Sequence, residues 1–523
     1  MGRLRFRRSE PAEPWDHVLD GTKEAKKSFQ PNVLLPESCF REGQEDCLQL
    51  NVYTKAYPSS TEGAVPQDDV PLLPVVVFLH GGAFVVGSCE AMLYGPQVLL
   101  DTEVVLVGVN YRLGALGYLS LETDEAPGNL GLHDQYLALC WVRDNIAQFG
   151  GDPDKVTLLG ESAGAMSAIC HLVSPISRGL FHRVIALSGT QASAILHNDR
   201  SPRCYALALA LRLGYSGDQT DNNSLLTFLQ HMTALDIVKA SIMFRDWDYA
   251  NPMPWTPVLD NFSSQPFLPL PFAQAVKDGR FSPVPVMFGL CRDEGLILSA
   301  PYYQTKARWE LLRTDWTNWA PLLFFGRERD LTTDKDRQTA ADIGRYYFGP
   351  DTDISRLPSH DQTISKLTRI YSMSYFYSAA HHDASVLAKA GAQVHVFVLS
   401  HPPAFSLIDM FRLNLKQLCY MFAARSFGCN PYPQQYGICH GDDLNYLFPM
   451  DPPGFPPTVV TESQKLVQGY LTDIVSTFSA TGDPSATKKF GDIWEPLQVS
   501  RRSLLVFTSI SSLPRPTPGY QNI

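Results

Sequence analysis

The chain has 523 residues, 45% of them apolar and 18% charged, with 39 prolines and 36 glycines; this composition predicts a large buried core with many ordered loops. Its formal charge of -10 argues against a nucleic-acid partner, which needs a basic face. No apolar run approaches the roughly 18 residues of a membrane-spanning helix, so none is expected.

One large domain covering residues 1–523 is expected, since α/β folds with long insertions fill this length. Residues 1–46 are proline-rich and charged, with little periodicity. The basic start, Met1 to Arg8, has no apolar stretch behind it and is not a secretory signal. Phe6 stands where a myristoylation signal prefers Ser or Thr. As written, the chain carries no export address, and cytoplasm is its expected compartment; secretion stays open if further residues precede Met1. Ten cysteines occur without a C-x-x-C pair, so metal and redox motifs are absent and most of the thiols are expected to be buried and free.

The first strand is expected at 47–53, where apolar residues alternate at period two. A polar linker leads to 73–80, a continuous apolar run of the kind buried in parallel sheets. His80-Gly81-Gly82-Ala83-Phe84 follows. In such a glycine-rich turn the backbone N–H groups of Gly82 and Ala83 can stabilise an oxyanion. Residues 104–110 repeat the strand character, 131–149 read as helix, and 155–159 form another strand. That strand runs into Gly160-Glu161-Ser162-Ala163-Gly164, with a helix pattern behind it. Strand, sharp turn, helix is the setting of a nucleophile elbow, with Ser162 exposed above the sheet and the N–H of Ala163 as a third oxyanion donor. Further strands are expected at 183–187, 284–289 and 393–399, while 200–280 and 300–390 read as mainly helical insertions. The fold class is therefore α/β, a mostly parallel sheet flanked by helices. His381-His382-Asp383 is read as a solvated helix face rather than a metal site, and no metal or cofactor is expected.

With these motifs, Glu45 to Val52, Asn110-Tyr111-Arg112, Gly128 to Gln135 and Phe149 to Pro153, the chain resembles the type-B carboxylesterase and cholinesterase family over nearly its whole length. The resemblance implies an α/β-hydrolase fold and a Ser, Glu, His triad in that order. Ser162 falls on the nucleophile, Glu294 on the acid and His440 on the base. Without the resemblance, Asp293 rivals Glu294, and His440 is one of thirteen histidines, set apart by its place between Gly437 and Gly441 and after both other members. Glu161 falls in the family's active-site pocket, with an electrostatic effect and no essential role. Hydrolysis of small to medium hydrophobic esters through an acyl-enzyme on Ser162 is the implied function, without cofactor.

Departures from the family pattern narrow the choice. The cholinesterase tryptophan for quaternary ammonium has no counterpart near Pro36 to Phe40, which disfavours choline esters. The cysteine pairing with the position of Cys47 falls on Ser28, and a second family pair falls near Gly214 and Phe228; these losses suggest a reducing compartment. A Cys39–Cys47 bridge stays open, as do sequons at Asn222 and Asn261 in an exported protein. The run His440 to Phe448 looks like the arthropod esterase branch, and Glu161 stands where juvenile-hormone esterases usually carry glutamine. The resemblance also implies a truncated N-terminal edge, since relatives usually carry edge strands before the position of Leu4; such an edge would be a liability. Adhesion proteins of the same fold and lipid or juvenile-hormone esterases are the alternatives.

Overall fold

Short runs of Val, Ile, Leu and Phe that alternate their side chains between two apolar layers dictate the architecture. A computed structural model describes residues 4–18, 20–31, 43–55, 71–242, 253–304, 306–412, 436–448, 458–487, 494–497, 503–507 and 515–518. Its strands are β1 (Leu50–Tyr53), β2 (Leu73–Leu79), β3 (Val105–Val109), β4 (Gly151–Glu161), β5 (Arg183–Leu187), β6 (Val286–Cys291), β7 (Val394–Leu399), β8 (Ser503–Phe507) and β9 (Arg515–Pro518). They form one sheet in the order β1-β3-β2-β4-β5-β6-β7-β8-β9. The strands from β3 to β8 run parallel, and an antiparallel strand closes each side, β1 on β3 and β9 on β8.

Alternation sorts the core. Val75, Val77, Val107 and Leu158 face one layer, where α1 (Leu130–Asn145) and α2 (Ala163–Val173) pack. Val76, Phe78, Leu159 and Met287 face the other, against Val467, Leu471, Ile474 and Phe478 of a long C-terminal helix. Before that helix come α3 (Ser378–Lys389) and the short α4 (Leu444–Leu447); the long one is α5 (Glu462–Thr481). A capping box of Thr461 and Gln464 starts α5, and Gly482 in the left-handed region ends it; these residues satisfy the backbone groups a helix end leaves unpaired.

The expected strands are present with shifted ends. β4 begins at Gly151, earlier than 155, and β6 runs on to Cys291. β8 and β9 are additional. Helices fill most of 306–389, but 253–271 has none; Pro254, Pro257, Pro266, Pro269 and Pro271 remove donors and fix the backbone there. No described helix is long and apolar enough to cross a membrane.

Candidate active site

Loops at the C-terminal ends of the strands meet, where open α/β sheets place ligands. β2 leads into the His80 turn, β4 into Ser162 and β6 into Glu294, while His440 lies beyond β7. Ser162 has φ 54° and ψ -120°, a backbone that costs a non-glycine residue roughly 1–3 kcal/mol. Its N–H donates to Leu187 O at 2.8 Å. Close approach behind it requires glycine: a Cβ on Gly164 would lie 1.9 Å from Leu79 O.

The turn after β2 is also left-handed, with φ 53° at Ala83 and 62° at Phe84. Tyr111 props it up, donating its hydroxyl to His80 O at 2.6 Å while the two rings stack 4.4 Å apart. A Cβ on Gly81 would sit 3.0 Å from Ser162 Cβ, so turn and elbow touch. The N–H groups of Gly82, Ala83 and Ala163 donate to no group among the described residues.

Glu294 is fully buried. Its Oε2 lies 2.8 Å from His440 Nδ1, and its Oε1 accepts the Ser188 hydroxyl at 2.5 Å and the Cys291 N–H at 2.8 Å. Asp293 turns elsewhere, taking the Ile438 N–H and pairing with Arg292. Of the two rivals, Glu294 is the one that meets the imidazole. On the other side of the ring, Nε2 lies 3.2 Å from Glu161 Oε1, and Ser162 Oγ makes no hydrogen bond among the described residues. Burial disfavours the imidazolium, yet Glu161 and Glu294 outweigh it and hold His440 up at about 9. Burial likewise pushes Glu161 up to about 8, against the pull of His440. Each partner gains proton affinity from its surroundings.

Several contributors carry no sequence signal. Ser188, at φ 54°, reaches Glu294 only because β5 pairs with β6. A π-helical turn, Ser372–Tyr377, borders the loop of Glu294; such turns are frequent at functional sites. Ser372 accepts the Gly295 N–H at 2.8 Å, Tyr377 donates to Cys291 O at 3.1 Å, and Phe376 packs 4.7 Å from the His440 ring.

Other expectations resolve less simply. Asp383 is buried in α3, where it accepts the Thr190 hydroxyl and the Ala192 N–H; only His382 of that triplet keeps a mostly exposed side chain. The solvated face is therefore corrected to a clamp between α3 and the loop after β5. Ser28 hydrogen-bonds the buried Cys47 thiol, whose pKa burial raises to about 11. Cys39 lies outside the described residues. Phe228 packs on Tyr215, beside Gly214, at 5.3 Å.

A family model described as the carboxylesterase family matches residues 1–512. The chain belongs to the carboxylesterase family. This carboxylesterase is 31% identical to a juvenile hormone esterase of Tribolium castaneum over 493 residues, 92% of this chain and 78% of the relative. It is 31% identical to esterase FE4 of Myzus persicae over 511 residues, 97% and 82% of the two chains. Para-nitrobenzyl esterase of Bacillus subtilis (strain 168) is 38% identical over 308 residues, 58% of each. The protein is a carboxylic ester hydrolase of the α/β-hydrolase fold.

Proposed function

We propose that this carboxylesterase, as a single domain, cleaves small to medium hydrophobic esters through an acyl-enzyme on Ser162, with His440 as general base and Glu294 as its orienting acid. The 2.8 Å contact between His440 Nδ1 and the buried Glu294 carboxylate, beside a strained serine, carries this reading. Glu294 holds the Nδ1–H tautomer, which leaves Nε2 free to take a proton. Ser162 Oγ attacks the carbonyl carbon and Nε2 receives its proton. The carbonyl oxygen, now charged, is held by the N–H groups of Gly82, Ala83 and Ala163. Collapse breaks the bond to the alcohol, which leaves with the proton from Nε2; water then repeats the sequence on the acyl-enzyme. Nε2 must exchange Glu161 for Ser162 on the way, and catalytic hydrogen bonds commonly tighten only when substrate is bound.

The surroundings of Ala83 support the substrate class. A cleft partly open to solvent is lined there by Phe29, Val85, Val238, Met253 and Trp255. Its lining suits an apolar acyl or alkyl group. Nitrophenyl esters of rising chain length test this, with acetylthiocholine and a juvenile-hormone analogue in the panel because one relative is a juvenile hormone esterase. We expect kcat/KM to peak at short to medium chains, with acetylthiocholine poor. Preference for the choline ester, or no turnover of any ester, contradicts the reading.

A further inference from the structure

Four carboxyl groups crowd one imidazole. Glu161 and Glu294 flank His440, Asp442 and Asp443 follow it in the chain, and all four are buried. None pairs with a lysine or arginine among the described residues. Four unneutralised charges cannot persist together in so dry a site.

Hydrogen bonding decides where the charge rests. Glu294 accepts from Ser188, Cys291 and His440. Asp442 accepts from Ser406 Oγ, Leu407 N–H, Cys439 N–H and Asn445 Nδ2. Glu294 has donors enough for a carboxylate, whereas burial pushes Asp442 up to about 8 despite its four donors, as it does Glu161. Asp443 takes only the Leu444 N–H, at 3.0 Å through Oδ1, and its buried Oδ2 has no partner. An oxygen without a donor is the cheapest place to keep a proton.

We propose that Asp443 is held as a neutral carboxylic acid in the resting enzyme and that its ionisation sets the proton affinity of His440, making it a positioning residue that acts through the imidazole. Its charged and titratable neighbours are His440 and Asp442 on its own turn, Cys291 and Glu294 from β6 and the loop behind it, and Glu161 from β4. Burial first, then repulsion from Glu294, pushes Asp443 up to about 7, with His440 pulling the other way. As pH rises the proton leaves to solvent. The charge it uncovers favours the imidazolium, so His440 becomes a free base only at higher pH. This second step rests on the reading of His440 as general base.

Infrared titration of the whole enzyme tests the first step without turnover. At pH 6 the protonated-carboxyl C=O absorption should contain an Asp443 component that is lost as pH passes about 7 and is missing in Asp443→Asn, which keeps an acceptor for the Leu444 N–H, while Glu161 and Asp442, raised to about 8, keep their components to higher pH. The same Asp443 component should persist in Ser162→Ala, so loss of the nucleophile and loss of this proton are read separately. In Asp443→Asn, with folding checked by circular dichroism, the acid limb of kcat/KM should move to lower pH by several tenths of a unit. Absence of a component lost near pH 7 from the wild-type enzyme overturns the proposal even if the variant does not fold. An absorption unchanged by the substitution, or an acid limb that stays in place, overturns it as well.

Discussion

Glu161 and Ser162 are neighbours in the chain that compete for one nitrogen. With Nε2 3.2 Å from Glu161, the carboxylate favours the protonated imidazole, a form that cannot accept the serine proton. Glu161→Gln removes that pull, so the base stays free to lower pH. The acid limb of kcat/KM is expected to shift downward; an upward shift would contradict an electrostatic role for Glu161. Ser188 acts on the far side. Ser188→Ala takes one donor from the Glu294 carboxylate, a loss of about 1.5 kcal/mol, which predicts a roughly tenfold lower kcat at unchanged KM. A change confined to KM would count against it. These two residues differ in how legible they were. Glu161 stands inside a recognisable motif, whereas Leu187-Ser188-Gly189 resembles many strand ends, and its partner lies 106 positions away. Only the β5–β6 pairing joins them.

At the scale of elements, the elbow and the turn after β2 depend on tight backbone contacts rather than side-chain chemistry. Gly164→Ala would press a methyl group into Leu79 O, so strand and helix must part; a loss of about 3 kcal/mol or more is expected from the urea midpoint. A variant as stable as the parent would show that the elbow has room to spare. Ala83→Gly has the opposite expectation. Its φ of 53° is one glycine adopts freely, so activity should persist with stability changed by no more than about 1 kcal/mol. Much of this was readable from the chain, because glycines at fixed offsets from a serine and a β-branched run admit few structures. Some residues of the motifs that carry the family resemblance act as braces. Arg112 pairs with Asp134 through two hydrogen bonds, at 2.8 and 2.7 Å, and Tyr111 supports the His80 turn. The π-helical turn was not readable, since Ser372–Tyr377 differs from its helical flanks in hydrogen bonding and not in composition.

Across the whole molecule, buried titratable groups predict a stability maximum near neutral pH. Burial lowers His80, His133 and His395 to about 4 and His171 to about 3. The unfolded chain therefore binds more protons below about 6.5, and stability falls as pH drops from there through 4. Glu161, Asp442, Asp443 and His440 are raised, to about 8, 8, 7 and 9. Their contribution is present below the unfolded pKa values and is lost as pH rises through 7 to 9. Between about 4.5 and 6.5 the three raised carboxyls oppose the four histidines; above 6.5 the raised groups act alone. Melting temperature should thus decline on both sides, and a steady rise from pH 6.5 to 9 would contradict it. The sheet's central strands could be read from sequence because each holds a short, mainly apolar run. β8 and β9 escaped, since their place depends on β7, more than a hundred residues earlier.

Reaction with a fluorophosphonate, followed by peptide mapping of the adduct, tests the central claim most directly. One adduct per chain is expected, on Ser162, with ester turnover lost in parallel. In folded Ser162→Ala no adduct is expected, and turnover lower by roughly 10⁴-fold or more. An adduct on another residue, or a Ser162→Ala enzyme that still labels and still hydrolyses esters, would contradict it.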